Sequence, residues 1–151
     1  MQTNYNIDTP IAFNGMLSDT TQHKDVLSLN NRDTDVFVGR LVSRGVNEDE
    51  IIHPAVATDV TDLKRARGVV LHSHQMTSSE KYLAKDIVSV LHKGRMWVQF
   101  MDAPDSKADV RVVVGGADAG RFASTGLGSI VPNCKIIRTS NNNFAEIEID
   151  L

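Results

Sequence analysis

The sequence predicts an all-β domain, a sandwich or barrel with little helix, and three observations predict it. From residue 34 onward the chain is a succession of short β-branched runs separated by turn residues. Its last run, FAEIEIDL (144–151), alternates from Ala145 onward between apolar and acidic residues, as a half-buried antiparallel strand does. Stretches with a 3.6-residue apolar period are few and short.

Taken in order, residues 1–33 are polar and rich in Asn, Asp and Thr, with Tyr5, Ile7, Ile11, Phe13, Met16 and Leu17 scattered among them. They carry no compact core of their own and read as an extended N-terminal arm, followed by a loop around residues 18–24. Twenty extended residues reach roughly 65 Å. Such an arm either crosses to a neighbouring subunit or folds back as an edge strand. Residues 34–151 then form one domain. DVFVGRLV (35–42) and GVVLHSH (68–74) are strand runs. DIVSVLHKGRMWVQF (86–100) reads as two strands joined by a tight turn at Lys93-Gly94. DVRVVVGG (109–116) and CKIIRT (134–139) follow, each ending near turn residues. Helix is expected only over 58–66, capped by Thr58 or Asp59, and over 78–85.

Composition narrows the function. A chain of 151 residues is one domain, and it buries roughly 68–70% of its unfolded surface. Sixteen Lys and Arg against nineteen Asp and Glu give a net charge of −3. Lys64, Arg65 and Arg67 are the nearest approach to a basic cluster, and Asp59 and Asp62 adjoin them. A nucleic-acid partner is therefore not expected. One cysteine, Cys134, forms no disulfide within the chain and suits a reducing compartment. It reads as a small buried hydrophobe. The N-terminus lacks the charged and apolar regions of a secretory signal, and no run approaches the 18 apolar residues of a membrane span. Synthesis in a cytoplasm is expected.

The motifs with chemical potential each fall short. His72 and His74 share one strand face, as metal ligands in β-barrel enzymes do. Five residues separate His74 from Glu80, and His23, His53 and His92 lack a context that makes one of them the third nitrogen ligand. Two histidines on a strand face are the plainer reading, with no metal and no cofactor. Glu146 and Glu148 stand about 6.8 Å apart along a strand, within glycosidase range, but Asp150 continues the same acidic face and a solvated role is expected. GGADAGRF (115–122) has the glycine spacing of a phosphate loop with Arg121 and Phe122 where Lys and Ser or Thr belong. GLGSIV (126–131) lacks the last glycine of a dinucleotide fingerprint. Trp97, the single tryptophan, reads as core in preference to an interface anchor.

DIVSVLHKGRMWV (86–98) resembles the signature hairpin of the structural cement proteins that decorate tailed-phage capsids. VFVGRLV (36–42), GVVLHSH (68–74) and the stretch from VPNCKIIRTS to AEIEI (131–149) resemble the same family in order and spacing, so the similarity runs from about Ile11 to the end. The resemblance implies a jelly-roll β-sandwich that binds the major capsid protein of the assembled shell and stabilises it; the acidic net charge places it on the outer surface, away from packaged DNA. The resemblance also implies self-association as a dimer or trimer, a place in the virion, and no catalytic residues. Tyr5, Ile7, Ile11 and Phe13 are then the expected apolar contacts to the capsid or a neighbouring subunit. Two other classes compete: a cupin-like metal enzyme using His72 and His74, and a receptor- or glycan-binding module of a phage tail. Aromatic residues at 5% of the chain disfavour the second.

Overall fold

The computed structural model describes residues 14–18, 24–31, 35–72, 80–126 and 128–151. In chain order these form β1 (Met16–Leu17), β2 (Asp25–Asn30), β3 (Val36–Phe37), β4 (Leu41–Arg44), β5 (Ile51–Ile52), α1 (Thr58–Thr61), β6 (Ala66–Val70) and β7 (Lys81–Tyr82). There follow β8 (Ile87–Gln99), β9 (Arg111–Val112), β10 (Phe122–Ala123), β11 (Ser129–Ile130), β12 (Cys134–Thr139) and β13 (Phe144–Asp150). All pairings between these strands are antiparallel.

The main sheet runs β12-β13-β8-β6-β4-β5, with β1 and β2 also paired to β8. Two smaller sheets, β10-β9-β11 and β3-β7, complete the fold. The all-β class read from the sequence is thus the class of the structure.

Apolar pairs along the central strands explain the layering. Leu41, Val69 and Leu91 pack into one core with Phe100, Val112, Phe122 and Ile147. Their neighbours Val42, Val70 and Val90 point the other way, into a second core with Val36, Ile51, Tyr82 and Val88. A strand covered on both faces needs consecutive apolar residues, and the runs Leu41-Val42, Val69-Val70 and Val90-Leu91 supply them. The sheet of β9, β10 and β11 contributes to the first core, and the β3–β7 ribbon contributes to the second.

Three sequence expectations give way to long-range pairing. The tight turn expected at Lys93-Gly94 is absent, and β8 is one strand of 13 residues. Its first half pairs with β2 and β6, and its second half with β13 and β1. Hydrogen bonds along both edges outweigh a local turn preference. Gly94 itself has φ of 137°, a conformation that favours glycine. Gly15 donates to the Trp97 carbonyl and accepts from the His72 amide, which ties the far end of β8 to the end of β6.

The helix expected over 58–66 shrinks to Thr58–Thr61. Asp59 turns back to accept from the amides of Ala55 and Val56 and pairs with Arg65 at 2.9 Å, while Asp62 leaves helical geometry. Of the helix expected at 78–85, the residues described, Glu80 onward, form no helix, and Lys81–Tyr82 make the strand β7. Residue 68 also has to be glycine. A Cβ there meets the Leu91 carbonyl at 2.2 Å, and φ is +153°.

Candidate functional site

The outer face of the β12-β13-β8 part of the sheet carries charges in cross-strand rows. In one row Arg95 of β8, Glu148 of β13 and Lys135 of β12 lie side by side. Arg95 reaches Glu148 at 3.4 Å and Lys135 reaches it at 3.7 Å. In the next row Trp97, Glu146 and Arg138 are register partners. Arg138 approaches Glu146 at 3.1 Å and lies over the Trp97 ring, 5.0 Å from its centroid.

Glu146 corrects a sequence expectation. The alternation placed it on a solvated face, yet it is fully buried. Its carboxylate accepts from the Ser18 hydroxyl at 2.5 Å and from Arg138. A buried carboxylate needs such partners, and here they also anchor the segment after β1 to the sheet. Trp97 is a buried residue, as read, but it lies in this polar row and not in either apolar core. The pairing of Glu146 with Arg138 gives no acid/base couple with Glu148, whose own contacts are cations.

The histidines are dispersed. His72 follows β6 half-buried, with its backbone amide given to Gly15; His74 and His23 lie outside the described residues. Glu80 is exposed, and its carbonyl accepts from Val38. Nδ1 of His92 faces the Arg67 carbonyl at 3.1 Å. Among the described residues, no group of three or more His, Cys, Asp and Glu side chains is close enough to hold a metal ion. Tyr5, Ile7, Ile11 and Phe13 also lie outside the described residues.

His53 is a residue the sequence did not single out. Its Nε2 accepts from the Phe37 amide at 3.2 Å, and the ring stacks on Phe37 with centroids 6.1 Å apart. Arg40 covers the same Phe37 ring at 4.3 Å. Desolvation, opposed by the Leu41 carbonyl and assisted by Arg40, lowers its pKa to about 4. Burial pushes the Cys134 thiol well above its ordinary range, which suits a packed hydrophobe and not a nucleophile. At Asp102 desolvation works to raise the carboxyl, but hydrogen bonds from Thr125 and Ser124 outweigh it and hold the pKa below the usual value. These perturbed groups are scattered over the molecule and do not converge on one cleft.

The fold and its surface therefore define an antiparallel β domain built on two cores, with many of its charges paired to each other or to backbone groups. The same fold occurs in a chain of a solved structure, the capsid of Myoviridae phage XM1. The TM-score is 0.74 and the identity 16%, over 99% of this chain and 98% of that one. No curated protein matches the chain significantly. A family model described as structural cement protein (E217 gp24/Pam3 gp6) matches residues 1–150. The chain belongs to that structural cement protein family, and it is a structural protein of a phage capsid.

Proposed function

We propose that this protein binds the outer surface of the assembled phage shell and cements neighbouring major capsid protein subunits, stabilising the shell against the pressure of packaged DNA. The observation that carries the reading is the family match over residues 1–150. The net charge of −3 supports the outer location, because packaged DNA is a dense polyanion and repels an acidic lining. A clip that binds the closed shell and not the separated subunits stabilises the shell by mass action. Each contact can be smaller than the roughly 800 Å² per partner of a standard interface. A dimer or trimer that touches several subunits gains effective concentration with each later contact. No catalytic step belongs to this reading.

The N-terminal residues Tyr5, Ile7, Ile11 and Phe13 are the proposed apolar anchors. β1 pairs with β8 and Leu17 packs against the core, so the segment to remove is residues 2–13. Co-sedimentation with mature, DNA-filled particles stripped of this protein tests the reading. Saturable binding in fixed ratio to the shell protein, with delayed heat rupture, is the expected result. Loss of binding on deleting residues 2–13, with thermal unfolding unchanged, assigns the anchors. Absence of binding by the intact chain refutes the cementing function.

A further inference from the structure

We propose that the outer edge of β12 is a docking site for an extended segment of the shell protein, one that alternates acidic and apolar residues and adds to the main sheet as a further antiparallel strand. The inference rests on the cementing function and names the surface and the partner chemistry it uses.

β12 is the terminal strand of the main sheet, and β13 is its one strand partner among the described residues. The register settles which backbone groups face outward. Asp150 donates to the Asn133 carbonyl, and Ser140 donates to the Phe144 carbonyl. Counting from either end, the pairs Cys134–Ile149, Ile136–Ile147 and Thr139–Ala145 are the non-hydrogen-bonded ones of the ladder. The amides and carbonyls of Cys134, Ile136 and Thr139 therefore point away from β13 and form a template for another strand.

The two faces of this edge specify what pairs with it. On the outer face the row Arg95, Glu148, Lys135 runs cation, anion, cation, and the place beyond Lys135 continues the alternation with an acid. Lys135 has room for a second carboxylate, since its side chain is 70% exposed. Opposite charges in adjacent strands stabilise a pairing, and like charges directly opposite destabilise it. Beside the edge lies a groove of about 310 Å³ lined by Asn133, Cys134, Lys135, Glu148, Ile149 and Asp150. Half-buried Cys134 gives it an apolar wall that accepts an aliphatic side chain from the incoming strand, above Ile149 of the first core.

A second copy of β12 fits badly. Pairing two β12 strands with their apolar sides together sets Lys135 and Arg138 of one copy beside those of the other. The register shift between Ile136 and Arg138 also breaks the edge, a device that discourages indiscriminate pairing. The lysine rejects a second copy of the strand while leaving the edge open to an acidic one.

Hydrogen exchange, measured on the free chain and on the chain saturating stripped particles, tests the proposal. The amides of Cys134, Ile136 and Thr139 are expected to exchange quickly when free and at least about tenfold more slowly when bound. Lys135→Glu and Thr139→Pro are each expected to weaken particle binding about tenfold or more, with unfolding temperatures near that of the parent. Lys107→Glu, the same charge reversal at another exposed site, is expected to leave binding within about twofold. If Thr139→Pro fails to fold, Lys135→Glu and the exchange data decide. Particle binding without protection at these amides, and indifferent to Lys135→Glu, overturns the edge proposal and leaves cementing intact. Failure of the parent chain to bind particles overturns both. Protection that grows with concentration in the free chain assigns the edge to a second copy and likewise overturns it.

Discussion

Acid should weaken this fold through His53 before Asp35 and Asp102 are affected. The group is neutral in the folded chain, with its pKa lowered to about 4 from 6.5, chiefly by desolvation. The unfolded chain takes up a proton near pH 6.5, and the folded chain resists until about pH 4. Between these values the unfolded state binds up to one more proton, so stability falls as pH falls. A shift of 2.5 units, at about 1.4 kcal/mol per unit, amounts to about 3 kcal/mol, most of it lost by pH 4. That is a large share of the roughly 5–15 kcal/mol typical of a domain. Asp35 and Asp102 have lowered carboxyl pKa values, so their contributions are lost lower still. The assay is urea unfolding followed by Trp97 fluorescence at several pH values between 7.5 and 4, on the parent and on His53→Gln. Glutamine can accept from the Phe37 amide and does not titrate. The variant should start less stable at pH 7.5 and lose about 3 kcal/mol less than the parent on acidification. Equal losses in the two proteins refute the assignment to His53.

Gly68→Ala should cost about 2–4 kcal/mol, because its Cβ collides with the Leu91 carbonyl on the adjacent strand; chemical denaturation measures it, and a neutral result refutes the close approach of β6 and β8. Glu146→Ala removes a buried acceptor from Ser18 and Arg138 and should cost about 2–4 kcal/mol, with a change in Trp97 emission as Arg138 loses its hold over the ring. Phe122→Ala opens the first core beneath Phe100, with ring centroids 5.8 Å apart, and should cost about 3–5 kcal/mol by the same measurement.

The strands β12 and β13 were legible because each has a pattern that needs no partner to be read. AEIEIDL alternates over seven residues, and its apolar side does lie in the first core. The family was legible too, because the resemblance lay in structural runs spread along the chain. The Lys93-Gly94 turn misled because a local glycine signal was weighed without knowing that β2, β6, β13 and β1 lie ready to pair with both edges of β8. The helix at 58–66 misled for a similar reason: Asp59 was free to cap it, but two amides and Arg65 claimed the carboxylate. His53 carried no signal at all, since one histidine beside a proline looks the same whether solvated or stacked on a phenylalanine.

By itself the sequence determined the β class, the family and the absence of a recognisable catalytic motif, because composition, period and local runs are properties of short windows. Tertiary structure decided the rest. It buried Glu146 among Ser18, Arg138 and Trp97, although the alternation marks Glu146 and Glu148 as equivalent. It aligned Arg95, Glu148 and Lys135 in a single row from three strands, and it left β12 at the edge of its sheet. Burial and charge pairing depend on which strands lie side by side, and residues far apart in the chain settle that together.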